Sequence, residues 1–193
     1  MHASIYYLMF LVLAINPERP FDDSKSHLKP DAVILKNSND TLNMIQTIKG
    51  FLHWYKQNYK KANSFKFTYE DKLGNYQVNL KDGENYLQYL KSSGYISDEY
   101  ISLWMKYFTD KASYLKENIQ NEGPPEGFEF DLILITQEPE LILNAIEKLE
   151  FVVLEAKNNK AVMQISGDGM YNIDMTKKKG KWKIDYIATE NYD

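Results

Sequence analysis

The chain contains no cysteine. That absence excludes disulfides, thiolate metal centres, a thiol nucleophile and a lipid-anchoring cysteine. Histidine is scarce as well. His2, His27 and His53 are too few and too scattered for a histidine-rich metal centre. An excess of positive charge is also missing, with 23 Lys and Arg against 27 Asp and Glu and a net charge of −4. A sequence-independent grip on nucleic acid needs a basic surface, so no nucleic-acid partner is expected. No glycine-rich loop leads into a helix, because Ser166-Gly167-Asp168-Gly169 lies between two strand patterns. Asp168 alone does not supply the spaced oxygen ligands of a calcium loop. Neither a serine nucleophile elbow nor a His-Glu-x-x-His pattern occurs. No cofactor and no metal are implied.

A membrane-spanning run is lacking too. The apolar stretch Ile5–Ile15 is shorter than the roughly 20 residues that a spanning helix needs. Its length suits the apolar region of a signal peptide over residues 1–15, with the small Ala14 after Val12-Leu13 as a cleavage point. The open alternative is a buried first strand or helix, since residues 1–4 carry no Lys or Arg. Residues 16–40, rich in Pro, Asp, Ser, Asn and Lys, read as a linker. The reading is therefore a protein of the bacterial periplasm or the extracellular space. A single domain covers 41–193, long enough for a real core.

What the chain does have is a regular carboxyl-terminal pattern. Phe151, Val153 and Glu155 alternate with Val152, Leu154 and Ala156, and Asn158-Asn159 breaks the run. Ala161, Met163 and Ile165 follow. Tyr171, Ile173 and Met175 alternate with Asn172, Asp174 and Thr176. After Lys177-Lys178-Lys179-Gly180, a solvated tip, Trp182, Ile184 and Tyr186 alternate with lysines and Asp185. A period of two with Gly or Asn at the breaks predicts a four-stranded antiparallel meander with one dry face.

Helical spacing dominates the first half. Ile45, Ile48, Leu52, Tyr55 and Tyr59 form one stripe, with Asp40 or Thr41 as its cap, and Lys60 and Lys61 near its end. Gly50 interrupts it and allows a close neighbour. Phe65, Phe67 and Tyr69, then Tyr76, Val78 and Leu80, flank a turn and predict a hairpin. A short helix starts at Asp82 and is closed by Gly94. A longer one starts at Ser97, carries Ile101, Trp104, Met105, Phe108, Ala112, Leu115 and Ile119, and stops by Gly123-Pro124-Pro125. Pro139 opens a short helical piece. The fold class expected is α+β, with amino-terminal helices packed on the antiparallel sheet.

Helices followed by a sheet that closes on Gly180-Lys181-Trp182-Lys183-Ile184-Asp185 resemble the nuclear-transport-factor-two-like superfamily. More narrowly, Phe51-Leu52-His53-Trp54-Tyr55 and Phe130-Asp131-Leu132 resemble a family of small exported bacterial proteins of unknown function. The resemblance implies a cone-like roll, in which a curved sheet wraps a long helix around a pocket. Within such a fold an enzyme places an acid, with His or Tyr help, as general base. The parts at hand are His53, Asp131 and Asp185. His53 lies beside the apolar stripe as a flanking residue, and Asp185 shares the wet face of its strand with Lys181 and Lys183. Asp131, between Phe130 and Leu132, is either a pocket base or the cap of a turn.

Fifteen Tyr, nine Phe and three Trp combine with no convincing catalytic set. The reading is a non-catalytic binding module for a small apolar ligand or a protein partner. Two alternatives stay open: a lyase, isomerase or hydrolase with Asp131 as general base, and an immunity or interaction protein acting through its sheet face. Homodimerisation through that face is compatible with each.

Overall fold

The computed structural model describes residues 39–167 and 169–189. The expected signal peptide, the linker as far as residue 38 and Asp168 lie outside the described residues.

The first helix, α1, runs Asn39–Ala62. Met44, Ile48, Phe51, Leu52 and Tyr55 recur at three- and four-residue spacing and are buried. Asp40 is not its cap. Its carboxylate accepts from Lys177 Nζ at 2.6 Å and Trp182 Nε1 at 3.4 Å, tying the first turn to a distant hairpin.

A small hairpin follows, β1 (Thr68–Glu70) and β2 (Tyr76–Val78), paired antiparallel. Asp71 Oδ1 builds its turn by accepting from the backbone N–H of Leu73 and Asn75, at 2.8 and 3.0 Å. The strands are shorter than the alternation suggests. Phe65 and Phe67 turn their rings against Tyr86, at 5.7 and 4.9 Å between centroids. Helix α2 (Leu80–Lys91) is capped by Asn79, and α3 (Asp98–Glu117) by Ser97, whose hydroxyl accepts from Tyr100 N at 3.1 Å. Ending α3 at Glu117 leaves Ile119 70% exposed, off the stripe where the spacing had put it. Helix α4 (Pro139–Asn144) and a 3₁₀ turn, Ile146–Lys148, lead into the sheet.

The sheet has four antiparallel strands in sequence order, β3 (Glu150–Lys157), β4 (Lys160–Gly167), β5 (Gly169–Lys178) and β6 (Lys181–Thr189), and it is open. Its inner face is Met163, Ile165, Tyr171, Ile173, Met175, Trp182 and Ile184, all buried. This face packs on α1 and α3. Burying each such side chain stabilises the fold by about 2 kcal/mol. Tyr186 departs from the expected pattern. Asp174 pairs with Tyr186 while Met175 pairs with Ile184, so Asp185 is an extra residue on β6. The bulge reverses the parity of every later side chain. Ile187, 3% exposed, takes the inner position opposite Ile173, and Tyr186 is half-buried.

Two helical glycines mark close approaches. A Cβ on Gly50 would lie 2.7 Å from the Tyr95 ring, the neighbour its place in α1 anticipates. A Cβ on Gly83 would lie 3.0 Å from Phe108, which is fully buried against Phe67 and Phe128 and has nowhere to move. Gly83→Ala therefore destabilises the protein by about 1–3 kcal/mol in chemical denaturation, although alanine is the better helix former. An unchanged or raised midpoint would contradict this packing.

Candidate functional site

Asp131 sits where the helical half turns toward the sheet. The run from Phe128 to Ile135 forms no strand; it folds into a tight turn closed by an isolated bridge between Asp131 and Thr136. Leu132, Ile133 and Leu134 are buried there. The side chain organises that turn. Oδ1 accepts from the backbone N–H groups of Ile133 and Leu134, at 2.9 and 2.8 Å. The main chain adds Asp131 N donating to Thr136 O at 2.9 Å and Ile135 N donating to Asp131 O at 2.7 Å. These bonds hold Ile135 at a φ of 50°, which costs a β-branched residue about 1–3 kcal/mol.

The other oxygen reaches α1. Tyr55 donates its hydroxyl proton to Asp131 Oδ2 at 2.5 Å. Tyr86 of α2 is buried beside Tyr55. Burial raises the pKa of the phenols of this region, Tyr55, Tyr59, Tyr86 and Tyr100, and the nearby Asp131 charge adds to each rise. Burial likewise holds the Asp131 carboxyl above its ordinary 3.8, outweighing the bonds from Tyr55, Leu134 and Ile133.

His53 does not join this group. It lies on the exposed side of α1, with Nε2 2.8 Å from Glu147 Oε1 and Lys49 Nζ 2.8 Å from Oε2 of the same carboxylate. Lys49 and His53 together lower the Glu147 pKa. Asp185 is the bulged residue of β6, and Thr176 donates to its Oδ2. The three sequence candidates thus stand apart.

Sequence reasoning missed a buried cation. Lys111 is 6% exposed on the inner side of α3, between Phe108 and Leu115 at helical spacing. Its ammonium lies 3.1 Å from Glu126 Oε1 and 5.0 Å from the centre of the Tyr114 ring. Glu126 also accepts from Tyr114 at 2.7 Å and Gln120 at 3.3 Å. Burial pushes its pKa up, but the bonds from Tyr114, Lys111 and Gln120 outweigh it and the net shift is downward. The signal was present in the spacing: position 111 falls on the same stripe as Ala112, and a lysine there implies a partner. Further along α3, the Tyr100 hydroxyl and the Trp104 indole N–H are buried without a well-formed bond, as is Glu129 Oε2.

Comparisons with protein-family models, with curated proteins and with solved structures find no match to this chain. Among the described residues no group of three or more His, Cys, Asp or Glu side chains could hold a metal ion.

Removing the carboxylate strands three donors at once. Asp131→Ala destabilises the protein by about 2–4 kcal/mol, measured by urea unfolding. A raised carboxyl binds its proton more tightly folded than unfolded, so its contribution is complete below the ordinary 3.8 and declines as pH rises through the raised value. Relative to Asp131→Asn, the wild type therefore loses stability as pH climbs through that window. Parallel pH profiles would contradict the shift.

Proposed function

We propose that the protein is a non-catalytic binding module that engages its ligand or partner at the outer surface. The observation that carries this reading is the commitment of both Asp131 oxygens, to two backbone N–H groups and to Tyr55. Proton abstraction through Oδ1 would break the turn, and through Oδ2 it would compete with the Tyr55 hydroxyl. His53, the other side chain with suitable chemistry, is tied to Glu147. The rings that the composition offers to an apolar pocket are spent on one another. Phe51, Trp54 and Tyr55 stack along α1, and Phe67, Phe108 and Phe128 form a second cluster.

The outer face of the sheet favours a ligand over sheet-face docking. One row across it, Val152, Gln164, Asn172 and Ala188, mixes amides with small and apolar side chains, and of these only Val152 is a large hydrophobic residue exposed to solvent. A broad apolar patch, the mark of a protein interface, would need more.

A second reading has one observation in its favour. A carboxyl with a raised pKa, 2.5 Å from a phenol, is also how a cone-shaped lyase, isomerase or hydrolase would poise a base. A substrate screen across esters, epoxides, hydroxy-carbonyl compounds and enolisable ketones separates the two. The binding reading expects no turnover above that of Asp131→Asn; turnover that disappears in this variant would establish the enzyme instead.

Export belongs to the same proposal, supported by the apolar run Ile5–Ile15 ahead of Ala14. Expressed from its first codon in a bacterium with an export pathway, the chain should be recovered outside the cytosol with a mass that starts after Ala14. An intact Met1 on cytosolic protein would defeat that assignment.

A further inference from the structure

A cleft of about 470 Å3 opens where three remote segments meet: the second turn of α1, the loop between α2 and α3, and the hairpin between β5 and β6. Asn43 and Gln46 form one wall, Tyr95 a second, and Lys181, Trp182 and Lys183 the third. Backbone pairing fixes these walls. Ser97 N donates to Ile184 O at 2.9 Å, and Ile184 N donates to Tyr95 O at 3.0 Å, so the loop is bonded to β6 like a short extra strand. Asp40 of α1 clamps the far side of the hairpin through Lys177 and Trp182. Gly50, without a Cβ, lets the Tyr95 ring lie against α1. The volume falls in the range of small-molecule sites, roughly 300–1,000 Å3.

The charge of the cleft is opposite to that of the chain. Overall the protein carries −4, yet the lining holds two lysines and no carboxylate. Of the nearby acids, Asp40 is matched with Lys177 and Asp98 with Lys91, while Asp185 accepts from Thr176, the cross-strand neighbour of Lys183. Lys183 donates to the Gly94 carbonyl, which satisfies a hydrogen bond but leaves its charge uncancelled. Lys181 is exposed and forms no ion pair among the described residues. Two lysines lining one cleft beside the Asn43 and Gln46 side chains suit an oxyanion. The half-buried ring of Tyr95 gives an apolar surface for the remainder of a small ligand.

We propose that this cleft is a binding site for a small ligand bearing a carboxylate or phosphate group, held by Lys181 and Lys183 with Asn43 and Gln46 supplying further hydrogen bonds. The proposal rests on the binding-module reading and names the site and ligand chemistry that reading lacks. It does not depend on Asp131, so the substrate screen and the test below fail independently.

Titration of the isotope-labelled protein with inorganic phosphate, and separately with citrate, followed by amide NMR, tests it. The expected result is saturable shifts confined to Asn43, Gln46, Gly94, Tyr95 and Lys181–Lys183, weakening with added salt. Whichever anion binds more tightly identifies the source of the oxyanion. Lys181→Glu and Gln46→Glu, both exposed surface changes, should each weaken binding about tenfold or more without altering the unfolding midpoint. The proposal is overturned if shifts fail to saturate, if they fall on lysines elsewhere, or if both variants bind as tightly as the wild type.

Discussion

A carboxylate removed from water must find donors, and the way Asp131 finds them organises the middle of this molecule. Two donors are local, the backbone of Ile133 and Leu134, and they bend the chain. The third, the Tyr55 hydroxyl, comes from α1. Tyr86 of α2 is buried beside that hydroxyl. One acid therefore joins α1 to the turn that redirects the backbone toward the sheet. Losing it would leave orphaned groups on all of these elements, which is costlier than the bonds are worth singly.

The larger frame is apolar. The inner face of the sheet rests on α1 and α3, and Asp40 binds the start of α1 to the β5–β6 hairpin from outside. Much of this was legible in the residues. Alternation located all four strands, and Ser97 and Pro139 opened the helices they were expected to open. The misreadings have definite causes. Tyr186 was assigned to the dry face because strict alternation cannot register an inserted residue, and Asp185 is that residue. Asp40 looked like a cap because its type and position suit one, whereas its partners lie more than a hundred residues away. Long-range pairings of this kind leave no local mark.

The candidate site was half legible. An acid between Phe130 and Leu132 announces itself as costly, and both readings, pocket base and turn cap, followed from that cost. Deciding between them required the positions of Ile133 N, Leu134 N and Tyr55, which only the fold supplies. Tyr55 had been read correctly as a buried stripe residue, but not as a donor. Lys111 was passed over because its apolar neighbours matched the helical stripe without it. Its burial beside Glu126 and Tyr114 shows that a charged residue can hold a core position when its partners are in place. The cleft beside Lys181 leaves no mark in the sequence for a similar reason: the loop that completes it, Gly94 and Tyr95, is far away along the chain.

The account turns on Asp131 acting as a structural staple through Tyr55. The most direct measurement is a double-mutant cycle between Tyr55→Phe and Asp131→Asn, read by equilibrium unfolding at neutral pH. A staple predicts a coupling energy of about 1–3 kcal/mol, with the double variant little worse than the poorer single one. Strictly additive losses would mean that the two side chains stabilise the fold independently, and the structural assignment of Asp131 would fall.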